Sequence, residues 1–204
     1  MYERSAGEIS GLLRVAVERE GDVVVSTGAY VAANPNITTT ELDEWITSVR
    51  AFERYPELLA VAAMTYVTNE ELPAFLARMR AAPVTPLSAA EPLEVVPPGE
   101  RPFYCLLQAV VAIGPITSVA PFGVDYCMSA VGPLVLAARD TGEASNIIVP
   151  SDAGQQLVVQ TPIYRGGVIP STVEGRRAAY VGSLGTSLAP DALLADVVRG
   201  HRDE

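Results

Sequence analysis

Few residues in this chain are of a type that could do chemistry. Asp125 is the only charged side chain between Arg101 and Arg139. A long uncharged stretch in an otherwise well-charged chain must be mostly buried, and a buried carboxylate without partners is very costly. Asp125 therefore either sits in a core strand pair with donors of its own, or anchors a polar hole in an apolar wall, as ligand pockets do. The only two cysteines, Cys105 and Cys127, lie in the same stretch. They could pair, closing a loop worth on the order of 3 kcal/mol, or remain buried thiols.

Other chemistry is scarce. The single histidine, His201, lies in a polar tail, and every basic side chain is arginine, so lysine is absent. Schiff-base and lysine-base catalysis are excluded, and a Ser-His-Asp, Cys-His or histidine-metal centre has no histidine in a useful place. Only paired carboxylates remain for an enzyme, and Asp125 and Asp152 are the sole candidates in apolar surroundings. The expectation is a non-enzyme with no cofactor and no metal. A net charge of −10 argues against nucleic acid.

Phe103 to Val124 is long and uncharged enough to suggest a membrane span. Gly114-Pro115 and Pro121-Phe122-Gly123 break it, and β-branched and aromatic residues fill the rest, so it reads as strand, turn and irregular chain. The first ten residues, MYERSAGEIS, are polar and do not resemble a signal peptide. The chain is then either cytoplasmic or a piece whose targeting segments lie outside it.

The elements that must position these residues follow from periodicity. Apolar residues from Ile9 to Val31 recur at three and four, predicting a helix over 5–32, roughly 42 Å long. Asn34-Pro35-Asn36 ends it. A capping box, Thr38 with Glu41, opens a second helix carrying Leu42, Trp45, Ile46, Val49 and Phe52. Leu58 to Val67 reads as a buried strand. A second box, Thr68 with Glu71, opens a helix to about Ala81. A proline-rich connector follows over 83–102, with a short edge strand at Leu93 to Val96. Phe103 to Ile113 is a strand whose alternation puts Tyr104, Leu106 and Gln108 on one face and Phe103, Cys105 and Leu107 on the other. A short helix spans Pro133 to Asp140 and stops at Gly142. Ala144 to Val149 and Gln155 to Tyr164 form a hairpin. Residues from Arg165 to about 177 read as loop, Ala178 to Ser187 as a strand, and Pro190 to Arg199 as a closing amphipathic helix. This order is α+β, with helices segregated from an antiparallel sheet.

Several segments carry a resemblance: "AYVAANPNITTTELDEWI" (29–46), "YPELLAVAAMTYVTNEELPAFLARMR" (55–80), "GVDYCMSAVGPLVLAARDTGEA" (123–144), "TPIYRGG" (161–167) and "RRAAYVGSLGTSLAPDALL" (176–194). In this order they resemble the CHASE domain, the extracytoplasmic sensor of plant cytokinin receptors and of many bacterial histidine kinases and diguanylate cyclases. The resemblance implies a single sensor domain over 1–204: a stalk helix at 5–33, a membrane-distal PAS-like subdomain at 37–160 holding a small-molecule pocket, and a membrane-proximal PAS-like part at 161–204. It implies transmembrane helices flanking the chain, and no other contact with the membrane. An extracytoplasmic place in turn makes the Cys105–Cys127 disulfide the expectation.

In cytokinin receptors an aspartate before the "ARxTG" segment hydrogen-bonds the ligand, and Asp125 occupies the matching position. The strand after "ARDTG", here Ser145 to Val149 with Ile147, offers backbone polar groups in that family. The candidate ligand set is Asp125 as acceptor, Tyr104 and Tyr126 as amphipathic walls, Met64 and Tyr66 from the central strand, Asn146 and Ile147 opposite, and Thr141 at the helix end. Thr141 also has the plain role of a helix-terminal hydroxyl. The leading function is ligand sensing for a receptor with a kinase or GGDEF-type cyclase output. The alternative is a ligand-free dimerisation ectodomain with the long helix as the seam of a homodimer, favoured if the core at Asp125 is filled.

Overall fold

The computed structural model describes residues 21–82, 94–114, 123–151, 154–190 and 192. The first half of the expected stalk helix, most of the proline-rich connector, the irregular chain before Gly123, Asp152, His201 and nearly all of the closing helix lie outside them.

Residues 21–33 are helical (α1). Asn34 ends this helix, its side-chain amide donating to Tyr30 O at 2.8 Å. Helix α2, Thr39–Ser48, starts on a complete capping box between Thr38 and Glu41, an arrangement worth about 1 kcal/mol. Leu42 and Ile46 are fully buried. Trp45 stacks on Tyr30 with ring centroids 4.4 Å apart and donates to Thr27 Oγ1 at 3.1 Å, which fastens α2 to α1.

The expected single helix through Phe52 is instead two. Arg50 adopts a left-handed conformation and α3, Ala51–Arg54, restarts the helix. Thr47 and Val49 are β-branched, and Ser48 Oγ bonds back to Trp45 O at 2.7 Å, so the last turn of α2 is locally weak.

Strand β1 (Leu58–Thr68) leads to α4 (Leu72–Ala81), then β2 (Phe103–Ala112), a 3-10 turn at Tyr126–Met128, α5 (Gly132–Thr141), β3 (Ser145–Ser151), β4 (Gly154–Tyr164), a second 3-10 turn at Arg165–Gly167, α6 (Val173–Ala179) and β5 (Tyr180–Leu188). The five strands form one sheet, ordered β2-β1-β5-β4-β3, with every neighbouring pair antiparallel. The expected subdomain boundary after residue 160 can be placed on this sheet. That point falls inside β4, and β5 lies between β1 and β4.

Alternation gives the sheet two unlike faces. Val61 and Ala63 of β1, Val159 and Ile163 of β4 and Leu184 and Leu188 of β5 pack with Val23, Leu42, Ile46 and Tyr55. This is the main core, beneath α1 and α2. The intervening residues point to the opposite face, which α5 only partly covers. The β1–β2 register shifts between Ala63 and Met64, which pair with Ala109 and Leu107, so Gln108 of β2 is the extra, bulged residue. On the β5 side of β1, a Cβ on Gly182 would collide with Met64 O, so only glycine lets β5 approach there. Helix α5 stops on Gly142, left-handed at φ 81°.

The segment read as loop between Arg165 and Arg177 contains α6. Thr172 caps it, accepting from Gly175 N at 3.0 Å. Glu174 in its first turn and Arg176 and Arg177 in its last match the helix dipole.

Candidate ligand cavity

Asp125 is completely buried. Its Oδ1 accepts from Cys105 N at 2.9 Å and from Cys127 N at 3.1 Å. Its Oδ2 lies 3.3 Å from Arg101 Nη1, in the geometry of an ion pair rather than of a hydrogen bond. Cys105 and Cys127 are joined by a disulfide, Cα–Cα 5.3 Å. Aspartate and disulfide therefore fasten the same two pieces of chain, β2 and the 3-10 turn that Asp125 caps. With both sulfurs in the disulfide, neither is a thiolate that could join the nearby carboxylate in holding a metal.

Beside this clasp lies a cavity of about 260 Å³ between the sheet and the start of α5. Its floor is Ala60, Ala62 and Met64 of β1, Val158 of β4 and Gly185 of β5, with Leu107 of β2. Val131 and Leu134 roof it, and Ser145, Asn146, Ile147 and Val149 of β3 close one side. No charged side chain lines it among the described residues. Small residues make the space: Ala60, Ala62 and Gly185 occupy adjacent strands, and Ala62 pairs with Gly185 across β1 and β5.

Two hydroxyls of the polar lining are paired. Ser187 Oγ donates to Gln156 Oε1 at 2.8 Å and Ser145 Oγ to Leu134 O at 3.1 Å. Burial pushes the Tyr126 hydroxyl up to about 12, so it stays protonated and able to donate. Gln160 contrasts with them. Its amide lies against Gly185, and its Oε1 is buried without a partner. An orphaned acceptor of this kind costs about 1–3 kcal/mol, which a hydrogen-bond donor in the cavity would return.

The expected ligand residues divide. Met64, Tyr126, Asn146 and Ile147 line the cavity together. Met64 and Leu107, opposite one another in the β1–β2 register, share its face.

Asp125 is not on the wall, because its oxygens are occupied by two backbone amides and Arg101. Tyr104 alternates to the other side of β2 and packs with Phe75 and Met79. Its hydroxyl donates to Asn69 Oδ1 at 3.1 Å. Tyr66 stacks on Phe103 with centroids 4.9 Å apart and lines a different cleft. Thr141 Oγ1 donates to Ala137 O at 3.0 Å, the helix-terminal role.

Gln156, Gln160 and Ser187 were absent from the expected set. Glutamine at 156 and 160 around Val158 puts two amides on one face of a strand, and that alternation was the available signal.

A family model for the CHASE domain matches residues 35–204, and the chain belongs to that family. CHASE domains are extracytoplasmic sensor domains of signalling receptors, sensory rather than catalytic, and they bind small molecules. None of the curated proteins compared matches the chain. Among the described residues no helix is long and apolar enough to cross a membrane.

Proposed function

We propose that the cavity between the sheet and α5 is the ligand site of an extracytoplasmic sensor, the input of a transmembrane histidine kinase or GGDEF-type diguanylate cyclase. The observation that carries this reading is an apolar cavity with no charged lining and a buried unpaired acceptor, Gln160 Oε1. Such a site favours a small uncharged molecule with an N–H or O–H aimed at that oxygen, since a charged group would be desolvated without a counter-ion. The bound molecule would touch β1, β3, β4, β5 and α5 together. Signalling requires only that it bind one packing of α5 on the sheet more tightly than another.

The test is thermal-shift screening of the purified chain against a metabolite library divided into uncharged and ionic members, with native mass spectrometry of each hit. Val158→Trp fills the cavity floor, and Gln160→Leu removes the acceptor. The reading expects uncharged hits that vanish in Val158→Trp and weaken about tenfold or more in Gln160→Leu, the size of one buried hydrogen bond. Hits that survive Val158→Trp place the ligand elsewhere.

A further inference from the structure

A second cavity, about 640 Å³, opens among the end of α1, α4, β1, the 3-10 turn Arg165–Gly167 and the start of β5. Its character is opposite to that of the first. Arg78 of α4, Arg165 of the turn and Arg177 of α6 line it, against one carboxylate, Glu71. This clustering of cations occurs in a chain of net charge −10.

The partners decide which cations are spoken for. Arg177 is held by Asp140, its Nε donating to Oδ1 at 3.0 Å. Glu71 Oε2 accepts from Thr68 N at 3.0 Å and from Thr68 Oγ1 at 2.8 Å. Those two bonds, and then the fields of Arg78 and Arg165, hold its carboxyl below the usual carboxylate range.

Arg78 and Arg165 thus act on Glu71 through space. Neither has an acidic partner within 4.0 Å among the described residues. The guanidinium of Arg78 lies 5.7 Å from the Phe75 ring centroid, a contact that leaves its N–H edge unused. Two exposed guanidiniums therefore line a cleft whose only lining carboxylate is engaged by its own helix-start turn.

We propose that this cleft is a second binding site, for a small molecule carrying a carboxylate or phosphate, gripped by Arg78 and Arg165. The guanidinium fork matches an oxyanion bidentately, and the two forks come from different elements. Tyr66, half-exposed on the cleft wall, offers an apolar surface to the rest of such a molecule. The site is separate from the cavity under α5 and stands whether or not that cavity binds a ligand.

The probes are inorganic phosphate and benzoate, titrated into the whole chain at constant ionic strength against chloride. The readout is the arginine Nε–Hε NMR signals, assigned through Arg78→Gln and Arg165→Gln. Both exchanges are at exposed positions, and the amide spectrum checks that each variant is folded. A site moves the signals of Arg78 and Arg165 along one saturable curve, and Arg165→Gln weakens the Arg78 response about tenfold, as loss of one charge-assisted pair requires. Saturation by only one probe also supports the site and identifies the oxyanion it takes. Linear, non-saturating shifts with both probes, or an Arg78 response unchanged in Arg165→Gln, overturn the proposal.

Discussion

Asp125 shows how one side chain can be legible in sequence while its role is not. Its isolation in an uncharged stretch requires burial and donors, and it has both. The donors are the backbone amides of Cys105 and Cys127, and backbone groups leave no mark in residue types. A ligand-facing aspartate and a strand-clasping one therefore read alike. The clasp makes a distinct prediction. Asp125→Ala strands the N–H groups of Cys105 and Cys127 and removes the carboxylate beside Arg101, whose side chain is only 15% exposed. The expected cost is about 3 kcal/mol, read by urea denaturation. Asp125→Asn keeps an acceptor for the amides and is expected to cost about half as much. In both variants, at temperatures where they remain folded, the affinity of a cavity ligand stays within a few-fold of wild type, since the carboxylate is not on the wall. A large selective loss of affinity with little loss of stability would return Asp125 to the site.

At the scale of elements, the capping box of Thr38, the hairpin and the strands were readable because caps and alternation are local. The Thr68–Glu71 bonds instead form in a turn ahead of α4, whose N-cap Glu71 has no side-chain cap bond. Helix α6 was not readable. Gly175 at its centre breaks the pattern, and it is held largely by tertiary bonds to the end of α5. Arg176 Nε donates to Asp140 O at 2.6 Å and Arg177 Nε to Asp140 Oδ1 at 3.0 Å. The hydrogen bonds of Arg177 first, and of Arg139 after, hold the Asp140 carboxyl well below the usual carboxylate range. A carboxyl lowered in the folded state contributes stability that is fully present above its unfolded pKa near 4 and lost as pH falls through the folded value. Asp140→Asn is therefore expected to be destabilised by a constant amount, about 1 kcal/mol or less for so exposed a cluster, from neutral pH down to about 5. The gap from wild type should then narrow on further acidification. Denaturation curves at stepped pH test this, and a gap that widens below pH 4 would contradict the assignment.

Among the described residues the strands form one sheet, and Met64 lines both the cavity under α5 and the arginine-lined cleft. The bulge at Gln108 of β2 brings Leu107 opposite Met64, and the approach of Gly182 to the Met64 carbonyl fixes the strand behind it. None of this could be read from the sequence. The reading of β1 and β2 as continuous strands was right, but a bulge depends on the register of the pair, which strand propensity does not carry. At 5% exposure, Met64 is a core residue as well as a wall. Met64→Ala is expected to cost about 2–4 kcal/mol, because the cavities on either side prevent the surroundings from collapsing into the space. Met64→Leu keeps the volume and is expected to cost under about 1.5 kcal/mol. The two exchanges also separate wall from mere filler. If Met64 divides an apolar site from an ionic cleft, Met64→Ala lets water reach the Gln160 side. An uncharged cavity ligand then loses affinity about tenfold beyond any effect of partial unfolding, as its apolar contact area falls. Calorimetric titration well below the variant's melting temperature measures that loss. Unchanged affinity in Met64→Ala, with the expected loss of stability, would make Met64 a packing residue and leave the two cavities independent.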